Sequence, residues 1–463
     1  MIPHLPSDAS CGEKGDRPDQ NMSGAKETSC ASISQASCSD EDINDLERAP
    51  TQRSTGHTTG DKSAHAAHTS LDLRRTASRA QTILERVFTT RSVVDPPPPP
   101  DGGLQAWLQV VCGWLVLFTT WGWVNSYGTF QTYYTDTLAQ PASTISWIGT
   151  IQTWLTFIVG IFSGRALDAG FLRPVVVAGA VIQVLGIFMM SLSTTYWQLM
   201  LTQGVMTGLG GGLFFTPSLG LIATYFDGRR AFATGLATTG NAIGGAIYPL
   251  IVKELLPKLG FAWTARALGF LNLGLLAIVI ALMKPRLPPR TSGPMLDLAS
   301  FKDIPYTLYV ACLFFSMGPI YFTFYYLASF GEQSLHLSYS TSTILIILLN
   351  ATGTPARILP AFFADKLGQL NLLVPTLLAL NIAAWSWLAV SSIPGLYAFT
   401  VVYGLLNGTY QSLMPSTVAK LTPRLDMVGT RLGMAFGVLS FARSRGHRLE
   451  ARSRARWVGG MGA

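Results

Sequence analysis

From Trp107 onward the chain consists of apolar stretches of roughly twenty residues, separated by short polar links. An α-helix needs about that length to cross a bilayer, and inside the hydrocarbon layer every backbone polar group must be satisfied within the protein. The pattern therefore predicts an all-α polytopic membrane protein. We predict spans at 107–128, 145–164, 174–192, 197–219, 231–251, 262–283, 306–328, 339–363, 370–390 and 395–418, and the beginning of an eleventh at 428–442.

The charged residues favour a lipid bilayer as partner and argue against nucleic acid. They make up 13% of the chain, against about 25% in soluble domains. The net charge is +8, but the basic residues lie mainly between the spans, in the N-terminal region and in the last 21 residues, which hold six arginines. Basic residues between spans orient a membrane protein, so the positive charge needs no nucleic acid to explain it.

The distribution of lysine and arginine also predicts the orientation. With a cytosolic N-terminus, twelve of these residues between the spans lie in the cytosol, and only Lys253, Lys258 and Arg266 lie outside. Positively charged links stay on the cytosolic side. We therefore expect a multi-pass integral membrane protein with its N-terminus in the cytosol. The plasma membrane is the expected location, and the vacuolar membrane is the alternative.

The ionisable residues do not suggest catalysis. All six histidines lie in the terminal regions or in one link, and the five cysteines show no metal-ligand spacing. The sequence therefore predicts no catalytic residue, no metal site, no cofactor and no enzymatic activity.

The two ends differ from the apolar middle. Residues 1–100 lack sustained apolar periodicity, which predicts a disordered cytosolic tail, and it ends in a stiff spacer, "PPPPP" at 96–100. Residues 443–463 are basic and unlike a span, so a twelfth helix is missing. We expect this end to be an artefact of the gene prediction, with a natural basic tail as the alternative.

The apolar part repeats itself at an offset of about 200 residues. Gly204 and Gly208 match Gly404 and Gly408, and Asp168 stands against Asp365. This predicts two related helix bundles, 101–283 and an incomplete 305–442, joined by a cytosolic link at 284–304, which is the architecture of a secondary transporter. The spacing of four between Gly204, Gly208 and Gly212 predicts a groove for close helix packing.

Three stretches resemble a known family. "PDGGLQAW" (100–107) is similar to the motif before the first helix in the monocarboxylate-porter family of the major facilitator superfamily, particularly its fungal members. "GRALDAGFLR" (164–173) and "ADKLG" (364–368) resemble the superfamily's gating motif, and "FDGRRAFATGLATTGNAIGGAIYP" (226–249) resembles the family's fifth helix. The resemblance implies the major facilitator fold of two six-helix halves and transport by alternating access.

The gating motif implies a role for charged residues at the cytosolic helix ends. Asp168 and Asp365 would hold these ends together in the outward-facing state by pairing with arginines. The other charged residues of the two motifs are Arg165, Arg173 and Lys366. The alternative is that both carboxylates are surface groups with no special role.

Arg357 is a cation inside the eighth span, about eight residues from its cytosolic end. A charge within the membrane is costly, but Asn350, Thr354 and Arg357 share one helical face, which predicts that this face lines a wet cavity. The family resemblance implies that Arg357 binds a carboxylate of the substrate. A structural or snorkelling role is the alternative.

The sequence departs from the animal members of the family at two positions. Those members carry a basic residue in the first helix and an aspartate one turn before the helix-8 arginine, where this chain has Asn125 and Gly353. The lysine–aspartate pair associated with proton-coupled lactate transport is therefore absent, and a larger aromatic or amphipathic solute is favoured. The remaining candidates for substrate contact, each also explicable by helix packing, are Asn125, Asn350, Tyr127, Gln152, Tyr321, Tyr325, Asn407, Tyr410 and Gln411.

We therefore expect a transporter for a small organic, anionic solute, with export of a secondary metabolite as the leading function. Uptake of monocarboxylates or vitamins is one alternative. A non-transporting sensor or a truncated, inactive paralogue is another. The sequence makes no prediction about the oligomeric state.

Overall fold

The computed structural model describes residues 98–138, 140–290 and 294–441. The predicted disordered tail and the basic stretch at 443–463 fall outside these residues, apart from 98–100. Throughout the described part the regular structure is helical, which confirms the all-α prediction.

Among the described residues, the first half of the bundle forms seven helices and the second half forms five. Two helices of the first half are short pieces of longer rods. Gly160–Asp168 continues the helix Ala142–Ile158, and Tyr196–Leu199 continues through a π-helical segment, Met200–Met206, into the helix Thr207–Tyr225. The bounds are α1 Leu104–Thr137, α2 Ala142–Ile158, α3 Gly160–Asp168, α4 Leu172–Met190, α5 Tyr196–Leu199, α6 Thr207–Tyr225 and α7 Arg230–Leu282.

The described helices of the second half follow a 3-10 turn at Leu298–Lys302. The Ser338 side chain caps the start of the helix Tyr339–Leu367 by accepting from Thr341 N. The Ser392 side chain caps the helix Ile393–Lys420 by accepting from Gly395 N. The bounds are α8 Ile304–Leu335, α9 Tyr339–Leu367, α10 Gln369–Ser386, α11 Ile393–Lys420 and α12 428–441.

Each predicted span overlaps one of these rods, and the spans at 174–192, 262–283, 370–390 and 428–442 end one to four residues beyond the described helix. By length and apolar composition alone, seven helices of the described part could cross a membrane. One of them, α7, carries both the fifth and the sixth predicted spans, and the chain turns between them at Gly260 (φ 74°), a backbone conformation that favours glycine. Successive rods therefore run in alternating directions.

This alternation defines two ends of the bundle. We call the end that holds Asp168, Tyr225, Leu282, Leu367 and Lys420 the linker side, because the link between the halves starts there. The opposite end, at which α7 turns, is the far side.

The repeated glycines lie at corresponding helix contacts in the two halves. A Cβ on Gly208 would lie 2.6 Å from the carbonyl oxygen of Gln152 in α2, and one on Gly408 would lie 2.8 Å from Gly353 Cα in α9. Gly204 and Gly212 face the same α2 rod. Such distances leave no room for a side chain, so the backbones approach closely at these positions.

Candidate substrate cavity and gate

A cavity of about 40 Å³ lies between the two halves. Trp121, Phe157 and Phe215 form an aromatic cluster in its lining, with ring centroids 5.5–6.1 Å apart. The polar lining comes from α7 and α11. The lining residues are Leu117, Trp121, Phe157, Phe215, Leu219, Thr238, Asn241, Met317, Ile320, Tyr410, Gln411, Met414 and Pro415. Because both halves contribute, a solute bound here would contact both.

Arg357 reaches this cavity through another side chain. It is 3% exposed, and its Nη2 donates to Gln411 Oε1 at 2.7 Å. The same oxygen accepts from Asn241 Nδ2 at 3.0 Å, and Gln411 Nε2 donates to Asn407 Oδ1 at 3.2 Å. The described residues that line the cavity include Gln411 and not Arg357. A direct contact between Arg357 and a substrate stays a prediction.

Two more predicted residues meet at a neighbouring glycine. A Cβ on Gly245 of α7 would lie 2.6 Å from Asn125 Nδ2 and 3.6 Å from Asn350 Oδ1. Asn350 is 5% exposed and donates to the carbonyl of Ile346 in its own helix. The structure thus brings α1, α7 and α9 together at these two amides.

Of the predicted tyrosines, Tyr127 lies apart from this group. Tyr127 is buried within the first half, where its hydroxyl donates to the carbonyl of Ile145 and its ring packs on Gly149. That position is explained by helix packing. Tyr321 and Tyr325 belong to α8, but their side chains lie outside the described residues.

The Asp168 carboxylate joins the two halves at the linker side. Its oxygens accept from Gly429 N at 3.0 Å, Thr430 N at 2.7 Å and Thr430 Oγ1 at 2.6 Å. These donors lie in the first turn of α12, where helical N–H groups lack partners within the helix and favour a negative charge. We call this contact the Asp168 clamp.

The Asp365 carboxylate makes the corresponding contact in the opposite sense. It belongs to the second half and accepts from Ala231 N and Phe232 N, both at 2.8 Å, at the start of α7 in the first half. This is the Asp365 clamp. The sequence predicted arginine partners; Arg165 and Arg230 do interact electrostatically with Asp168 and Asp365 respectively, but helix N-termini are partners that the prediction did not include.

The other three charged residues of the gating motifs lie in different surroundings. Arg165 is buried beside Asp168, at 1% exposure. Lys366 is exposed, with its Nζ 4.5 Å from the ring centroid of Phe362. Arg173 is exposed on the outer face of α4, so the structure places it on the outside of the bundle.

The residues that precede α1 hold the loop before α7 in place. Asp101 Oδ1 accepts from the N–H groups of Asp227 and Gly228, while Asp101 N donates to the carbonyl of Tyr225. The ring of Trp107 packs edge-on against Phe226, with centroids 5.1 Å apart. The glycine-rich turn therefore positions the start of α7, which the Asp365 clamp holds from the other half.

Comparison with known proteins decides the family. Residues 112–447 match the family model described as Major Facilitator Superfamily. The chain belongs to the Major Facilitator Superfamily.

Relatives in the superfamily are named as fungal transporters, not enzymes. An "MFS-type transporter" of Gibberella zeae is 42% identical over 76% of this chain and 80% of its own length. An "Aspyridones efflux protein" of Emericella nidulans is 34% identical over 76% of this chain and 73% of its own. The solved structures include a human organic anion transporter, which shares the superfamily fold at a TM-score of 0.61 and 15% identity, covering 75% of this chain and 92% of its own.

Sequence reasoning missed two polar residues of the cavity lining, Thr238 and Asn241. Asn241 donates to Gln411 across the interface between the halves and lines the cavity. Its signal was present, since it is an amide within the fifth predicted span. The aromatic residues of the lining carried no comparable signal, because phenylalanine and tryptophan occur throughout the spans.

Proposed function

We propose that this superfamily member is a secondary transporter of the monocarboxylate-porter type that exports an organic solute, a secondary metabolite with an anionic group. The central cavity carries the proposal, because α7 and α11 place a hydrogen-bonded amide pair, Asn241 and Gln411, across the interface between the halves. Alternating access would separate these two amides and so release the solute.

The relatives support export over uptake. One relative is named for the efflux of aspyridones, and this chain carries Asn125 and Gly353 where a proton-coupled lactate transporter would carry its ionisable pair. The cavity lining combines three large aromatic rings with a few polar groups, a combination that suits a ring-containing solute. Arg357 would contribute its positive charge through Gln411, which accepts from it at 2.7 Å.

The gate supports alternating access. With the linker side as the cytosolic side of the plasma membrane, the two clamps close the cytosolic entrance. Each clamp joins a carboxylate of one half to a helix start of the other, so opening the entrance requires both to break.

The proposal is tested by transport in liposomes that contain the full chain. The probes are 2-naphthoate, an aromatic carboxylate, and pyruvate, a small one. We expect the full chain to move 2-naphthoate at least tenfold faster than pyruvate, and Arg357→Ala and Gln411→Ala to reduce that rate at least tenfold. Arg357→Lys tests charge alone, and Leu359→Ala, on the exposed face of the same helix, is the matched control.

Three outcomes would count against parts of the proposal. Undiminished transport by Arg357→Ala contradicts the site, and a preference for pyruvate favours the uptake alternative. Binding of 2-naphthoate without flux, measured by equilibrium dialysis of the purified full chain, favours a sensor.

A further inference from the structure

The outer face of α4 is an exposed apolar stripe. Val177, Val181, Leu185 and Met189 are 39–50% exposed, and residues four apart lie on one face of a helix. In a membrane-spanning helix such a face contacts the acyl chains of lipids. Arg173, four residues before Val177, begins this stripe at the linker side.

A groove lies at the same end of the stripe, between the start of α4 and the end of α7. Its volume is about 320 Å³, against about 40 Å³ for the central cavity. Leu172, Val176 and Met283, which form its floor, are at most 2% exposed. Val177, Ile280 and Ala281 complete the apolar lining, and Arg173 is the one charged lining residue among those described.

The positive charge at the rim of the groove is uncompensated within the described part of the chain. Arg173 is exposed and makes no hydrogen bond or ion pair there. Asp168, five residues earlier, is bound to α12, and Asp426 pairs with Arg424 and Arg290. Exposed Lys284 directly follows Met283 and adds a second cation at this end.

We propose that this groove binds an anionic phospholipid. Its phosphate contacts Arg173, and one acyl chain lies in the groove and continues along the apolar stripe. The apolar lining selects a lipid over a free phosphate, because an acyl chain covers the exposed Val177 and Ala281 side chains and a soluble anion gains nothing from doing so. The unpaired cation selects an acidic headgroup over a zwitterionic one, because it attracts net negative charge.

Native mass spectrometry of the purified full chain in detergent tests the proposal. Phosphatidylserine and phosphatidylcholine with identical acyl chains are added separately. We expect one tightly bound phosphatidylserine with at least fivefold higher occupancy than phosphatidylcholine. Arg173→Gln should reduce the phosphatidylserine occupancy to the phosphatidylcholine level. Arg229→Gln, which removes another exposed linker-side arginine, should leave it unchanged.

Two further measurements separate the groove from simple charge attraction. Ala281→Trp fills the groove and should lower phosphatidylserine occupancy, whereas Leu378→Trp, on the exposed face of α10 and away from the stripe, should not. Glycerophosphoserine, the headgroup without acyl chains, should not displace the lipid. Equal binding of the two lipids, an equal effect of Arg229→Gln, or displacement by glycerophosphoserine would each overturn the proposal.

Discussion

The two clamps at the linker side occupy corresponding places in the two halves, but their surroundings differ. Asp168 is 8% exposed and receives three hydrogen bonds from α12, one of them from the Thr430 hydroxyl. Asp365 is half-buried and receives two from the start of α7. Both carboxylates accept from main-chain N–H groups at a helix start. The two clamps therefore differ in the exposure of the carboxylate to water and in the additional Thr430 hydroxyl.

This difference indicates which clamp stabilises the closed gate more. A charged hydrogen bond is stronger where water is excluded, because the local dielectric is low and an exposed carboxylate can exchange its partners for water. Beyond the Asp168 clamp, Phe436 of α12 packs against Phe157 and Phe215, with centroids 5.6 and 5.2 Å apart. Both rings line the central cavity, so the Asp168 clamp also fixes the helix that closes the cavity.

Asp168→Asn should have the largest effect on the gate. It turns three charged hydrogen bonds into neutral ones, a loss of roughly 0.5–1 kcal/mol per bond, and the sum corresponds to an opening roughly ten- to a hundredfold more frequent. The measurement is the maleimide labelling rate, from the linker side, of Met414→Cys in a background without the five native cysteines. Met414 lines the cavity and is 8% exposed.

Thr430→Val is the companion variant for this clamp. It removes the hydroxyl donor and keeps both main-chain donors, so we expect a rate increase of about three- to tenfold, in line with one hydrogen bond. Labelling of Asp168→Asn at the parent rate, in protein that is still folded, would show that the clamp does not hold the gate.

Asp365→Asn should give a smaller increase, about three- to tenfold in the same assay. Water can replace the lost partners of a half-buried carboxylate, and Gln369 of its own half also bonds to it. In the double variant with Asp168→Asn, independent clamps would multiply the two increases. A larger effect for Asp365 than for Asp168 would reverse the ranking drawn from their burial.

The comparison also shows what the sequence could predict. The sequence alone predicts the spans, the repeat and the corresponding positions of Asp168 and Asp365, because each depends on local composition or on matching positions in the two halves. The main-chain partners of the carboxylates were not, since any residue at a helix start supplies an N–H group and leaves no mark in the sequence. Arginines were expected in their place, and Arg230 does cross the gate as well, since its Nη1 donates to the Ala419 carbonyl of the other half at 3.2 Å.

The cavity shows the same limit. The face that carries Asn350 and Arg357 was readable from helical spacing. Whether Arg357 meets the solute or a neighbouring amide depends on Gln411, which lies 54 residues away in α11. Likewise, Tyr127 packs into the first half because Gly149 of the next helix leaves space for its ring, a pairing that local sequence does not encode.

Asp101→Asn should have the smallest effect, about two- to threefold, and it sharpens the account of the Asp365 clamp. Asp101 has a left-handed backbone (φ 52°) that asparagine tolerates, so the change removes charge and keeps an oxygen that can accept from Asp227 and Gly228. The loop before α7 would loosen slightly, and with it the N–H groups of Ala231 and Phe232 that face Asp365. If Asp101 acts only through this loop, its effect on Met414→Cys labelling disappears in the Asp365→Asn background. A full effect in that background would instead mean that the turn before α1 contacts the gate by a second route. The contact to remove next would then be the packing of Trp107 against Phe232, whose ring centroids lie 6.2 Å apart.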